Sequence, residues 1–332
     1  MFFVFKRIIL LVMSFFAMFP NLFSFQNFDS VAEYKKAVAS VDIYENTLDT
    51  AVPQTEVYNI ISNFFAEELP EGKTEKKAIV LGYDGCRADA LSLMKDAEES
   101  GIQTLMEDGG KTVIGYCGGT NYPNLHTQAT STAPGWCTML TGTWADVHGI
   151  TDNGIEKSND HLTLLTTLVE DGEVDDSAFY VSWGGHFNGA GTTYWQERQY
   201  CENNGLDVTF KCNADDNGTF DAVMNDITSA DCSDFIFSIF EFCDHNGHGD
   251  NFYIGNDSYK QAFADAENAS KACIEAIKAR ATYDTEDWLI IITSDHGGFK
   301  SGHGGNTIQE RMIFITTNKD VDYAYPVNSI VC

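Results

Sequence analysis

Nearly continuous apolar runs recur along the chain, and they constrain its fold more than any other feature. The clearest runs lie at residues 78–83, 235–242 and 288–294. Strands of a parallel sheet have this composition when both faces of the sheet are covered, because neither face meets water. Weaker runs of the same kind predict further strands at residues 112–116, 178–183 and 311–316.

The segments between these runs favour helices, at residues 88–100, 162–169 and 259–280. Strands that alternate with helices predict an α/β fold, in which a doubly wound, mostly parallel sheet carries helices on both faces. A chain of 332 residues that is 43% hydrophobic is long and apolar enough to bury one large core.

The N-terminal part of the chain divides into two segments. Residues 1–25 place Lys6 and Arg7 before a short apolar run, which is the pattern of a signal peptide and predicts a secreted or extracytoplasmic protein. An uncleaved surface anchor or a lipid-modified start is the alternative for this segment. Residues 26–74 read as an N-terminal helical extension, because the apolar residues between 55 and 69 repeat at helical spacing.

Residues 184–220 interrupt the alternation of strands and helices. The segment is rich in Gly, Asn and aromatic residues, and it predicts an inserted loop or cap, with Cys201 and Cys212 as candidates for one disulfide. A lid that faces the substrate and a solvated decoration both fit this composition. The nine cysteines of the chain lack the CxxC spacing of zinc fingers and agree with an oxidising compartment.

The charge of the chain limits its partners. Twenty Lys and Arg against 49 Asp and Glu give a formal net charge of −29. This balance argues against a nucleic-acid-binding module and against an anionic membrane surface, so membrane contact is expected only if the N-terminal segment is an anchor. An anionic substrate would be repelled unless bound divalent cations reversed the local field.

Acidic and imidazole side chains gather in four places, each at or soon after the end of a predicted strand. They are Asp84, Asp244 with His248, Asp295 with His296, and His303. Open α/β sheets bind ligands at the edge where the carboxyl ends of the strands meet. Mixed imidazole and carboxylate ligands suit Zn²⁺, with Mn²⁺ as the alternative. Each group alone is also common in turns and caps, but the four together predict two metal sites.

The stretch 130–153 contains a cluster of hydroxyl groups at a predicted helix start. Ser131 and Thr132 precede Pro134, which is tolerated in the first turn of a helix. A hydroxyl group in this position either caps the helix or acts as a nucleophile beside a phosphate held at the helix N-terminus. The stretch alone leaves both readings open.

Taken in order, these motifs resemble the alkaline phosphatase superfamily, and within it the type I phosphodiesterase/nucleotide pyrophosphatase branch. The resemblance covers residues 76–316 and is carried by Asp84-Gly-Cys-Arg-Ala-Asp, Thr132-Ala-Pro, His148-Gly-Ile-Thr-Asp-Asn153 and the Asp and His groups above. It implies an alkaline phosphatase-like catalytic domain over residues 75–332. Because family members usually continue further, it also implies a truncated C-terminus.

The resemblance assigns roles to individual residues. It implies that one zinc is held by Asp244, His248 and His303, and the other by Asp84, Asp295, His296 and the Thr132 oxygen. Thr132 is implied to form a covalent phospho-threonine intermediate. Asn153, together with the backbone N–H of Ala133, is implied to bind the phosphate oxygens. The expected activity is therefore two-metal hydrolysis of a small-molecule phosphate ester, with a phosphodiester or pyrophosphate bond as the substrate.

Several departures from the family pattern bear on the substrate. Ala133 and Gly135 stand where nucleotide-cleaving members usually carry an aromatic residue and Asn, which argues against a nucleotide preference. The sulfatase pattern is absent around residues 130–140, and Ser131 is a competing nucleophile beside Thr132. The alternative activities are a phosphomonoesterase or a phosphosugar mutase on the same metals. An inactive surface-binding module is the alternative of another class.

Overall fold

The computed structural model describes residues 51–96, 100–119 and 128–320. Its strands are β1 (Val52–Pro53), β2 (Glu75–Tyr83), β3 (Lys111–Tyr116), β4 (Ser177–Val181), β5 (Val208–Cys212), β6 (Phe235–Phe240), β7 (Glu286–Thr293) and β8 (Met312–Thr317). Its α-helices are α1 (Glu56–Ala66), α2 (Gly101–Glu107), α3 (Thr132–Thr141), α4 (Ala145–His148), α5 (Leu164–Glu170), α6 (Trp195–Asn204), α7 (Asp216–Ile227), α8 (Phe242–Asp250), α9 (Asp257–Lys278) and α10 (Ile308–Arg311).

The eight strands form one mixed sheet in the order β1-β3-β8-β7-β2-β6-β4-β5. Strand β8 runs antiparallel to both of its neighbours, β3 and β7, and the other neighbouring pairs are parallel. The central strands β7, β2 and β6 are almost wholly buried, as their apolar sequences predicted. The predicted α/β fold with a mostly parallel sheet is therefore confirmed.

Helices cover both faces of the sheet, and each face has its own apolar core. On one face α2, α7 and α9 pack over side chains such as Ile79, Leu81 and Ile290. On the other face α1, α3 and α5 pack over alternate residues of the same strands, such as Val80 and Ile291. Successive side chains of a strand point to opposite faces, so one apolar run supplies both cores.

Several local expectations are confirmed and others need correction. The helix expected between residues 55 and 69 forms as α1, and the helix expected at 259–280 forms as α9. The helix expected at 88–100 is instead a 3₁₀ helix from Ala88 to Asp96, with Ala90 N–H donating to Arg87 O. The segments 1–25, 26–50 and 321–332, which hold the expected signal peptide, most of the extension and the expected truncation, lie outside the described residues.

Residues 184–220 contain more regular structure than a loop. The segment holds helix α6, edge strand β5, which pairs in parallel with β4, and the start of α7. The expected Cys201–Cys212 disulfide is wrong, because all eight cysteines in the described part of the chain are free thiols. Cys201 on α6 lies 3.3 Å from the Thr166 hydroxyl, whereas the Cys212 thiol faces the carbonyl of Ser182 at 3.8 Å. Among the described helices, none is both long and apolar enough to cross a membrane.

Candidate active site

The acidic and imidazole groups singled out in the sequence converge at the carboxyl edge of the three central strands. Asp84 follows β2, Asp244 lies in the first turn of α8 just after β6, and Asp295 with His296 follows β7. Strand β2 lies between β7 and β6, so the three turns are neighbours. Gly85 lets them approach closely: it has φ +63°, and a Cβ there would lie 2.7 Å from Asp244 Oδ1.

The first group of side chains comprises Asp84, Asp295 and His296, all fully buried. His296 Nε2 lies 3.4 Å from Asp84 Oδ1 and 3.4 Å from Asp295 Oδ2. The Asp295 carboxylate is oriented by its other oxygen, Oδ1, which accepts hydrogen bonds from the backbone N–H groups of Gly85 and His296 at 3.2 and 2.8 Å. Three potential ligand atoms therefore converge on one point.

The second group comprises Asp244, His248 and His303. His248 Nε2 lies 3.4 Å from Asp244 Oδ2, and His303 Nε2 lies 3.6 Å from Asp244 Oδ1. His248 and His303 each direct Nδ1 to a backbone carbonyl, of Ser301 and Thr130 respectively, which leaves Nε2 toward the carboxylate. The rings of His296 and His303 are 4.2 Å apart, so the two groups adjoin.

The electrostatics of the two groups are unfavourable without a cation. Burial, followed by the neighbouring carboxylates, raises the pKa of Asp84 and Asp295 well above their ordinary values. Burial raises the pKa of Asp244 to about 7 and lowers that of His303 to about 4. Asp244 Oδ1, Asp295 Oδ2 and His296 Nε2 are buried and have no hydrogen-bond partner among the described residues. Buried polar atoms are rarely left unpaired, and carboxylate with neutral imidazole is a suitable donor set for Zn²⁺.

The helix α3 brings Thr132 to this edge. Ser131 is the N-cap of α3 and Thr132 its first residue, so the stretch does begin a helix. Thr132 Oγ1 donates to Asp84 Oδ1 at 3.2 Å, whereas the Ser131 hydroxyl faces the position of Gly304. Of the two neighbouring hydroxyl groups, Thr132 is therefore the one in contact with the first group.

Asn153 lies beside the start of α3. Its Oδ1 accepts a hydrogen bond from Ala133 N–H at 2.8 Å. Because the backbone N–H is a donor, the atom that faces it must be the amide oxygen, and Nδ2 remains as the donor of this side chain. The Ala133 N–H, expected from the resemblance to contact phosphate directly, is engaged by Asn153 in this arrangement.

Three further residues support the ligands: Trp136 and Gln54, which were not recognised in the sequence, and Gly135, which was noted there only as a departure from the family pattern. Trp136 Nε1 donates to Asp84 Oδ2 at 2.8 Å, and Gln54 Nε2 donates to the Asp295 carbonyl at 2.6 Å. Gly135 allows α3 to pack on the site, because a Cβ there would lie 2.9 Å from Asp295 Cβ. This close packing explains why position 135 is a glycine. No local sequence signal identifies Trp136 or Gln54, since both act across long chain separations.

A further group adjoins Asp84 on the side of β6 and β4. The ligand atoms of Asp84, His186 and Glu241 all lie within 4.8 Å of one another. His186 follows the end of β4 in a Gly-Gly-His sequence, which is the same signal that identified the other groups. It was missed because residues 184–220 were assigned as a whole to an insertion.

The comparisons with known proteins decide the family. A model of the family described as type I phosphodiesterase/nucleotide pyrophosphatase matches residues 78–310. The chain belongs to this family. The resemblance drawn from the sequence motifs is thereby confirmed, and the matched residues include each of the Asp and His groups described above.

The chain is also similar to several solved structures, at low sequence identity. Murine ectonucleotide pyrophosphatase/phosphodiesterase 5 is 18% identical, with a TM-score of 0.46, over 67% of this chain and 57% of that one. Alkaline phosphatase from the Antarctic bacterium TAB5 is 13% identical, with a TM-score of 0.45, over 74% and 91% of the two chains. The chain thus spans little more than half the length of the murine protein. A comparison with curated protein sequences gave no match.

Proposed function

We propose that this chain hydrolyses phosphodiester or pyrophosphate bonds with two divalent cations, and that Thr132 forms a covalent intermediate. The supporting observation is the contact between the Thr132 hydroxyl and Asp84, inside a cluster of unpaired carboxylate and imidazole atoms. Thr132 is the first residue of α3, and the N-terminus is the end of a helix that attracts anions. Nucleophile, cation ligands and anion-binding helix end therefore meet at one place.

Two cations fit the two groups of ligands. Asp84, Asp295 and His296 would hold one cation beside Thr132, and Asp244, His248 and His303 would hold the other. Imidazole with carboxylate favours zinc, with manganese as the alternative. Bound zinc supplies positive charge that lowers the pKa of the Thr132 hydroxyl and neutralises the phosphate oxygens. This local charge also offsets the net −29 of the chain.

The residues of the chain define a two-step reaction. Asp84 accepts the hydrogen bond from Thr132 Oγ1 and so directs an oxygen lone pair away from the carboxylate, toward the substrate. Thr132 Oγ1 forms a bond to phosphorus while the bond to the leaving oxygen breaks, and the proton of the Thr132 hydroxyl group passes to the leaving oxygen. Water then attacks the same phosphorus and releases Thr132 as a hydroxyl group. Each step transfers one phosphoryl group, and the sum of the two is hydrolysis.

Asn153 would stabilise the negative charge on the non-bridging phosphate oxygens in the transition state. Its side chain is oriented by the hydrogen bond from Ala133 N–H, the residue after Thr132, and its Nδ2 group remains available as a donor. A donor that is already in position does not have to reorganise during the reaction, which is the basis of oxyanion stabilisation. We therefore assign Asn153 as the ligand of a non-bridging phosphate oxygen.

Two alternatives remain to be separated by experiment. A phosphomonoesterase or phosphosugar mutase would use the same groups, so the ratio of diester to monoester hydrolysis and the release of free phosphate distinguish them. An inactive binding module would have no need for a buried nucleophile among unpaired ligand atoms. We therefore rank this function below hydrolysis. Export through residues 1–25 belongs to the same proposal, since an extracytoplasmic phosphodiesterase meets its substrate outside the cell.

The test is acid-quenched mass spectrometry of the zinc-loaded chain during turnover of bis(4-nitrophenyl) phosphate. We expect a 4-nitrophenyl phosphate adduct on the peptide that contains Thr132. The Ser131→Ala variant is the matched control and should carry the same adduct, because the hydrogen bond to Asp84 comes from Thr132 and the Ser131 hydroxyl lies toward Gly304. An adduct on Ser131 would contradict the assignment. So would turnover by the wild type without any adduct, including at pH values at which hydrolysis of the adduct is slow.

A further inference from the structure

His186 is the most unusual polar side chain in the described part of the chain. It is fully buried, and neither ring nitrogen has a hydrogen-bond partner among the described residues. Its ring is surrounded by aromatic groups: it stacks on Tyr194, is tilted against Phe179 and is nearly perpendicular to Trp183. An imidazole without any partner costs free energy in such an environment, so its presence calls for a physical reason.

His148 provides a matched comparison. It is also buried, and burial likewise lowers its pKa to about 3, so both imidazoles are neutral. His148 uses both nitrogens, since Nδ1 accepts from Ile150 N–H at 3.0 Å and Nε2 lies 3.2 Å from the Thr138 hydroxyl. His148 is therefore explained by the fold, whereas His186 is not.

Two carboxylates stand opposite the unpaired nitrogens of His186. Asp84 and Glu241 each offer an oxygen within 4.8 Å of a His186 nitrogen and of each other. Glu241 Oε1 is itself buried without a hydrogen-bond partner among the described residues. Both a donor set and its unpaired atoms thus converge on a third point, separate from the groups formed with His296 and His303.

We propose that Asp84, His186 and Glu241 bind a third divalent cation. One imidazole nitrogen with two carboxylate oxygens is a ligand set for zinc, and for manganese in second place, but not for the hard cations magnesium and calcium, which prefer oxygen alone. The site is distinct from the two proposed above and shares with them only Asp84.

Asp84 can serve two cations at once. A carboxylate has two oxygens and about four lone-pair directions, of which Thr132 and Trp136 occupy two. Strand β2 lies between β7 and β6, and therefore Asp84 lies between the ends of β7 and of β6 and β4. The third ion would hold the Asp84 carboxylate in place. The inference rests on the proposed function only through this shared residue.

The local backbone supports this placement. Residues 184–194 form a closed loop in which Tyr194 N–H donates to His186 O at 2.6 Å and Thr193 N–H donates to Gly185 O at 3.0 Å. A cavity of about 320 Å³ adjoins the proposed site, since its lining includes Glu241 together with Trp183, Asp216 and His245. Acidic side chains in this lining favour the entry of a cation.

The experiment is metal analysis of the full chain. The protein is stripped with a chelator, incubated with excess Zn²⁺, separated from free metal by gel filtration and analysed by inductively coupled plasma mass spectrometry. We expect three equivalents of zinc in the wild type and two in each of His186→Gln and Glu241→Gln. His303→Gln should also hold two, and the double variant His186→Gln/His303→Gln should hold one.

Controls separate folding from binding. His148→Gln removes a buried imidazole whose two nitrogens are both hydrogen-bonded within the fold, and this variant should retain three equivalents of zinc. The Glu241→Gln variant keeps the shape of the side chain, so a failure of His186→Gln to fold would leave the test intact. Two equivalents in both the wild type and Glu241→Gln would overturn the third site while preserving the proposed function. No zinc in the wild type would overturn both.

Discussion

The two ends of strand β7 carry buried carboxylates in opposite electrostatic states. At the first residue of the strand, Glu286 is held by Arg280, whose Nε and Nη2 donate to its oxygens at 2.7–3.0 Å, and by Thr282 and Trp288. Burial alone would raise the pKa of Glu286, but these hydrogen bonds lower it to about 2. Just past the other end, Asp295 has no cationic side chain beside it among the described residues, and its pKa is raised well above the ordinary value.

The difference separates structure from function. A buried carboxylate that is fully paired within the chain, like Glu286, is accounted for by the fold. A buried carboxylate that gathers further carboxylates around it, like Asp295 with Asp84 and Asp244, destabilises the chain unless a ligand supplies positive charge. Perturbed groups of the second kind gather at functional sites, which supports our proposal that the carboxyl edge is the active edge of this sheet.

The largest expected effect is at the nucleophile. Thr132→Ala should lower kcat for a chromogenic phosphodiester by about 1,000-fold or more, because the covalent step is lost while cation binding persists. Thr132→Ser keeps a hydroxyl group and should retain measurable turnover. Steady-state kinetics, with zinc content measured alongside, checks both variants. Full activity in Thr132→Ala would remove Thr132 from the mechanism.

Asn153 should contribute less than the nucleophile. Asn153→Ala removes one preorganised donor, and we expect kcat to fall by about 100-fold to 1,000-fold. Asn153→Asp is the informative companion, since it places negative charge beside the phosphate and should be at least as impaired. An unchanged kcat in both variants would mean that Asn153 serves only to hold Ala133 N–H.

Asp295 tests the active edge through stability as well as metal content. In Asp295→Asn one buried like charge is removed, so the chelated chain should gain about 1 to 2 kcal/mol in free energy of unfolding. The same variant should lose one equivalent of zinc and the stabilisation that zinc confers. Denaturant unfolding with and without zinc measures this reversal. A variant that is destabilised in both conditions would place Asp295 with Glu286 as a structural carboxylate.

Glu286 tests the opposite edge. Glu286→Gln should cost about 3 kcal/mol in free energy of unfolding and leave the zinc content unchanged, because Arg280 loses its buried partner. The folded pKa of about 2 is below the ordinary value of 4.5, so the stabilisation is present above about pH 4.5 and is lost as the pH falls toward 2. Unfolding measured across this range should show a pH slope that is flatter in the variant. An equal slope in both proteins would contradict the pairing.

The sequence predicted the fold well where one physical cause dominated. The runs around Ile79, Phe237 and Ile290 are apolar at nearly every position, and only a strand covered on both faces buries them all. Edge strand β5 was not predicted, because its residues alternate between exposed and half-buried. Its pairing with β4 is set by tertiary contacts that the local pattern does not record.

The same limit applies to the site. Asp84, Asp295 and His296 were identified because each follows a strong strand, and position at a strand end is a local signal. Trp136 and Gln54 act on those ligands across separations that no local pattern encodes. Glu241 was missed because it lay inside the strand expected at residues 235–242, whereas β6 ends at Phe240. His186 follows the strand expected at residues 178–183 and so carried the local signal, but the Gly-rich composition around it indicated an insertion, and it was not considered as a ligand.

The most direct test of the active edge is the zinc dependence of phosphodiester hydrolysis by the chelated chain. We predict that the metal-free protein is inactive on bis(4-nitrophenyl) phosphate, and that activity returns on addition of zinc in the wild type but not in Thr132→Ala. Hydrolysis that is equally fast before and after the addition of zinc, or that returns to the same rate in Thr132→Ala, would contradict the proposed zinc-dependent mechanism through Thr132.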